Sequence, residues 1–276
     1  MISVFSYERA PLLTRFARIL RPALAGALLM VCASPAHAAS GVAPSPTLAD
    51  AWLETLPTLA APVNWSYAFG LLKSDTERLA QSRRYLIEEL KTLAVSASVA
   101  GNERNVATLR AWQTALARLD GQPLRSPQRL DLLAFGATLR EAPLLSNVAY
   151  WGACEPPAWV EVWGRQGVAR QPWQPGSSLD SLMAQSASGT FEGIDAVHVV
   201  TPQGRVLRRG VAAWNAQPTP LAPGSRVVVE LPNRQGLGGA LPFPGTTHEL
   251  DIVNQRLPNV LAAQLPGEQC NQWQAP

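Results

Sequence analysis

Two Pro-Gly pairs, Pro175-Gly176 and Pro223-Gly224, bracket the most constrained stretch of this chain. Proline presets φ for the first turn position and glycine supplies positive φ for the next, so each pair favours a chain reversal. After the first pair, Ser177 or Ser178 can cap a short helix over Leu179 to Ala187. Val197-His198-Val199-Val200 and Arg205-Val206-Leu207 then flank Thr201-Pro202-Gln203-Gly204, a hairpin turn signal. Val211-Ala212-Ala213-Trp214-Asn215 follows, and after the second Pro-Gly pair comes Val227-Val228-Val229-Glu230-Leu231. Upstream, Trp159-Val160-Glu161-Val162-Trp163 alternates with period two. Strand, helix, hairpin and closing strand within ~75 residues fit one mixed layer packing of the α+β class.

The first residues read as an address. Arg9, Arg15, Arg18 and Arg21 stand against one acid, Glu8, before an apolar run from Ala23 to Ala33 and Ser34-Pro35-Ala36-His37-Ala38. A basic region, an apolar region and a small-x-small site predict a signal peptide over 1–38, cleaved after Ala38 with Ala39 the alternative. The apolar run falls short of the ~20 residues of a membrane span. Met30-Val31 before Cys32 is a poor match to a lipoprotein box.

Removing the leader changes the electrostatics. Taking the four arginines and one glutamate of residues 1–38 from 23 basic and 20 acidic residues leaves 19 of each. A mature chain with no basic surplus lacks the phosphate-neutralising charge behind nucleic-acid binding. The mature chain keeps Cys154 and Cys270. In an oxidising compartment these are expected to form a disulfide, with a free thiol pair as the alternative.

The organisation suggests two domains. Residues 39–153 form the first, with a helical hairpin over about 66–120. Leu72, Leu79, Leu86 and Leu93 recur every seven residues, with Ile87 and Leu90 widening the stripe. Gly101-Asn102 breaks it and caps a second helix bearing Asn105, Leu109, Trp112, Leu116 and Leu119. Gln128 to Leu133 is strand-like, as are Ala149-Tyr150-Trp151. Residues 154–235 form the second domain, whose element order suggests a β-grasp-like unit. Residues 236–276 supply a Gly- and Pro-rich loop, a short amphipathic helix over Thr247–Leu257 and a tail.

Motifs for chemistry are sparse. His198 sits in an alternating strand and reads as a solvent-facing or hydrogen-bonded residue, not a catalytic one. His248-Glu249 lacks the second histidine of a zinc protease, and no nucleophile elbow, Walker loop or dinucleotide fingerprint is present. No catalytic residue, metal site or cofactor is expected. The nine tryptophans serve either core packing or sugar recognition. On periodicity Trp112 and Trp163 are core.

The motifs together resemble the GfcC-like capsule biosynthesis family. They are Pro175-Gly176, Val199-Val200-Thr201-Pro202-Gln203-Gly204-Arg205, Val211-Ala212-Ala213-Trp214-Asn215 and Pro223-Gly224-Ser225. Ser126-Pro127-Gln128-Arg129-Leu130 resembles the segment after that family's helical insert, and Leu250-Asp251-Ile252 with Gln255-Arg256-Leu257-Pro258 resembles its C-terminal amphipathic helix. Ala213 replaces the family's tyrosine. The resemblance implies tandem β-grasp domains in the periplasm of a Gram-negative cell, and a non-catalytic accessory role in capsule or exopolysaccharide assembly or export. Its partners would be polysaccharide, export proteins, or both. A stand-alone carbohydrate-binding protein and a polysaccharide-modifying enzyme are the alternatives. Arg129 matches the family's arginine and is the expected ligand-facing residue, against an ion pair with Asp131. Trp214 and Asn215 would line a groove, against a core tryptophan and a turn cap.

Overall fold

The computed structural model describes residues 45–136, 141–231 and 246–275, with the side chains of 246–248 left aside. The leader over 1–38 and most of the Gly-rich loop after Pro232 lie outside the described residues. The chain is α+β, with two sheets and six α-helices among the described residues.

Helix α1 (Leu48–Thr55) opens with a capping box: Thr47 Oγ accepts from Asp50 N, and Asp50 Oδ2 accepts from Thr47 N at 2.8 Å. Its buried Trp52 donates from Nε1 to Leu130 O at 3.0 Å. The first helix of the hairpin starts later than the leucine repeat suggests. Ala68–Leu72 is strand β1, and helix α2 (Lys73–Val99) follows directly. Tertiary pairing overrides the local pattern here, because β1 lies antiparallel to β2 (Val148–Cys154). The remaining leucines, Leu79, Leu86 and Leu93, are buried as a stripe.

Gly101, at φ +70°, and Asn102, whose Oδ1 accepts from Asn105 N, turn the chain into α3 (Glu103–Arg118). From Leu86 onward the hairpin's stripe shares one core with the second sheet. Trp112 Nε1 donates to Gly164 O at 3.1 Å, and Thr108 Oγ1 donates to Arg165 O at 2.6 Å. The strand-like 128–133 segment instead enters a single helical turn, α4 (Leu132–Phe135), because Asp131 caps it, its Oδ1 accepting from Ala134 N.

The first sheet has order β1-β2-β8 and is antiparallel throughout. Its third strand comes from the end of the chain, β8 (Cys270–Gln274), where a tail was expected. The second sheet comprises β3 (Trp159–Gly164), β4 (Gly167–Pro172), β5 (Ala196–Val200), β6 (Val206–Gly210) and β7 (Arg226–Val229). Its order is β4-β3-β7-β5-β6, and the β3–β7 pair is parallel. Helix α5 (Leu179–Gln185), capped by Ser178, connects β4 to β5.

Helix α6 (Thr246–Ala262) buries Leu250, Val253, Leu257 and Leu261 against the same core. It runs beyond the expected Leu257, through Pro258. Buried side chains on its last turns and caps at its C-terminus hold it. Arg226 donates to Leu261 O and Leu265 O at 3.4 and 3.1 Å. Arg125 Nε donates to Ala262 O at 2.7 Å, and its Nη1 reaches Pro202 O in the β5–β6 turn. Burial, with Arg226 nearby, pulls the Arg125 pKa down to about 9, so it stays charged at neutral pH.

The Cys154–Cys270 disulfide is formed, joining register partners of β2 and β8 across a separation of 116 residues. In the chain-entropy view a loop of that size contributes about 5 kcal/mol. Cys270→Ser should lower the unfolding free energy in urea by that order, with loss of β8 protection in hydrogen exchange. Arg125→Ala leaves two carbonyls unpaired and a cavity. It should cost about 3 kcal/mol in the same measurement.

Candidate functional site

The sequence-selected residues occupy separate places. Arg129 lies just before α4 and chelates Asp131, with Nε–Oδ2 2.7 Å and Nη2–Oδ1 2.8 Å. Asp131 is buried while Arg129 keeps 43 % of its side chain exposed. Trp214, expected in a groove or the core, is 79 % exposed in the β6–β7 connection. Asn215 holds that connection: its Oδ1 accepts from Ala212 N at 2.9 Å, and its Nδ2 donates to Asp195 O at 3.0 Å. Arg129 and the Trp214-Asn215 pair line no common pocket among the described residues.

A larger cleft, about 450 Å³, opens between the end of α3, the β3–β4 hairpin and the chain running into β8. Three short sequence facts build its floor. Gly164 and Gly167 are partners flanking the two-residue turn Arg165-Gln166, with Gly167 at φ +111°. That turn sets Glu161 opposite Arg170. The parallel neighbour β7 then sets Arg226 beside Glu161.

Glu161 is the hub. It accepts from Trp163 Nε1 at 2.8 Å and from Arg170 Nε at 3.1 Å, and lies 3.5 Å from Arg226 Nε. Arg170 carries its guanidinium 4.2 Å over the Trp159 ring, and Arg226 stands 5.7 Å from the same ring. The outer Nη1 of Arg170 bonds Glu268, just before β8. Burial works against the Arg170 charge, but the hydrogen bonds to Glu268 and Glu161 outweigh it and hold its pKa above the ordinary value. For Arg226 burial dominates and lowers the pKa, Glu161 offsetting part. Arg118, Gln122 and Gln272 line the outer walls.

Residues 167–265, from the start of β4 past the end of α6, match the family described as capsule biosynthesis GfcC, C-terminal. Over these residues the chain is similar to the capsule-biosynthesis GfcC family. No curated protein shows significant similarity to the chain. The GfcC segment contributes Arg170, Arg226 and Gln264 to the cleft, while Trp159, Arg118 and Glu268 lie outside it.

Sequence reasoning passed over this cluster. One signal was available: Gly164 and Gly167 around a two-residue turn make Glu161 and Arg170 cross-strand partners. No local signal brings Glu268 there. Among the described residues, no group of three or more His, Cys, Asp or Glu side chains is placed to hold a metal ion, and no helix is long and apolar enough to cross a membrane.

His198 lies on the β5–β7 face of the GfcC segment, its Nε2 3.2 Å from Glu230 Oε1, where Arg208 also bonds Glu230 at 2.6 and 3.0 Å. These hydrogen bonds, His198 first, hold the Glu230 carboxyl down at about 2, against desolvation. A depressed carboxyl stabilises the fold above its unfolded pKa, and that contribution fades as pH falls from about 4.5 towards 2. Urea unfolding of the parent should lose on the order of 2 kcal/mol more than Glu230→Gln across that window. Equal losses in the two proteins would refute the coupling.

Proposed function

We propose that this protein is a non-catalytic periplasmic accessory factor of capsule or exopolysaccharide assembly or export, which binds the polysaccharide, the export machinery or both. The family match over 167–265 carries this reading. Three observations support it further. The order β4-β3-β7-β5-β6, with a parallel central pair and α5 connecting β4 to β5, supports a β-grasp reading of the second sheet. In the tandem arrangement we infer, sheet β1-β2-β8 is the reduced first member. The cleft at Trp159 offers guanidinium and amide groups beside an aromatic ring, a chemistry that suits a polar polymer. An export from the cytoplasm fits the basic-then-apolar leader and the disulfide.

The cleft alone favours a second reading, a stand-alone carbohydrate-binding protein, since it sets guanidinium and amide groups beside the Trp159 ring. An in-frame deletion, with complementation, separates the two. Surface and secreted polysaccharide should fall relative to polymer retained in the cell, and return on complementation. Unchanged polymer in every fraction would remove the assembly role and leave the binding protein.

A further inference from the structure

The Trp159 cleft has an inner and an outer half with different freedoms. Inside, Glu161 is 11 % and Arg226 8 % exposed, and both are held by several partners. Outside, Glu268 is 64 % exposed, and its ion pair with Arg170 is of the exposed kind that contributes little. Arg170 stands between them, its Nε fixed on Glu161 and its plane seated on Trp159. Its outer nitrogen therefore presents a pre-oriented donor, covered by a carboxylate that is free to leave. With Glu268 turned out, Arg118, Arg170 and Arg226 line the cleft, and Glu161 is the carboxylate paired with the latter two.

We propose that this cleft binds a carboxylate-bearing sugar of an acidic polysaccharide, whose carboxylate replaces that of Glu268 on Arg170. The inference rests on the polysaccharide reading above and names the class of polymer. Arg170 supplies the charge-assisted bond, and Trp159 keeps its fork in position. The amides of Gln122 and Gln272 on the walls suit sugar hydroxyls. A volume of about 450 Å³ is large for a lone ion and lies in the range of roughly 300–1,000 Å³ for organic ligands. Glu268 acts as an internal competitor: it keeps the arginine satisfied in the empty cleft and sets a threshold against weak anions.

Calorimetry on the exported, disulfide-bonded protein tests this with an oligogalacturonate, a maltooligosaccharide of equal length and sulfate. The oligogalacturonate should bind at least ~10-fold tighter than the neutral oligosaccharide. Arg170→Gln should weaken it about tenfold, the worth of one charge-assisted hydrogen bond. Glu268→Gln, a change at an exposed position that leaves the fold intact, should tighten it roughly two- to fivefold by removing the competitor. Equal affinity for the neutral oligosaccharide, equal displacement by sulfate, or no change in Glu268→Gln would overturn the proposal. The deletion strain keeps its failure distinct from that of the parent reading. Neutral glycan bound and polymer lost on deletion sinks only the carboxylate site, whereas acidic glycan bound with polymer unchanged sustains the site and removes the assembly role.

Discussion

The C-terminus of α6 is where this fold is fastened. A helix ends in carbonyls without intrahelical partners and a partial negative charge, and burying such an end is costly unless donors meet it. Here the donors are two buried guanidiniums from distant parts of the chain. Arg226 comes from the first residue of the central strand β7 and meets Leu261 and Leu265. Arg125 comes from the segment after the helical hairpin and meets Ala262, while the backbone of that segment meets Ala263. A lysine ammonium could not spread over carbonyls this way; the planar fork can. The Nη1 of Arg125 also holds the β5–β6 turn, so one side chain joins both sheets' surroundings to one helix end. The two like charges oppose each other, and the helix carbonyls are what make their proximity tolerable.

What could be read from the sequence was local. The second sheet's turns announce themselves: Pro175-Gly176, Thr201-Pro202-Gln203-Gly204 and Pro223-Gly224 each fix a reversal through φ alone, and Ser178 caps α5 as its position suggests. The hairpin α2–α3 was legible because its period spans many turns. The misses are short or polar. Ala68–Leu72 is an apolar run directly ahead of a helical pattern, where strand and helix look alike, and only pairing with β2 decides. Cys270-Asn271-Gln272-Trp273-Gln274 has no strand composition; its place in the first sheet comes from β2 and the disulfide. The same limit hid the candidate site. Arg129 and Trp214 were visible as motif residues, yet Arg129 is engaged by Asp131 and Trp214 stands in solvent. Glu161, Arg170, Arg226 and Glu268 meet through one hairpin, one parallel pair and one chain end, and the last two of those relations are non-local.

The two features, the fastened helix end and the cleft, share Arg226. Its far donors cap α6, while its Nε faces Glu161 and its plane lies near Trp159. The inner wall of the cleft is therefore as rigid as the fold itself, which keeps the ordering cost of binding low there. The outer wall is set by other means. Cys154–Cys270 and the bond from Glu155 N to Gln269 O hold the chain that carries Glu268 against the end of β2. Gly267 permits the approach, since a Cβ there would lie 2.7 Å from Glu155 O. The disulfide thus does two things with one bond: it fixes β8 as the third strand of the first sheet, and it brings an acidic residue to the mouth of a cleft built on the second. Glu268 can turn away from Arg170 without moving β8, because its backbone is held on both sides while its side chain stays in water. In the binding proposed above, a fixed arginine and a movable carboxylate would discriminate by charge first and by shape afterwards.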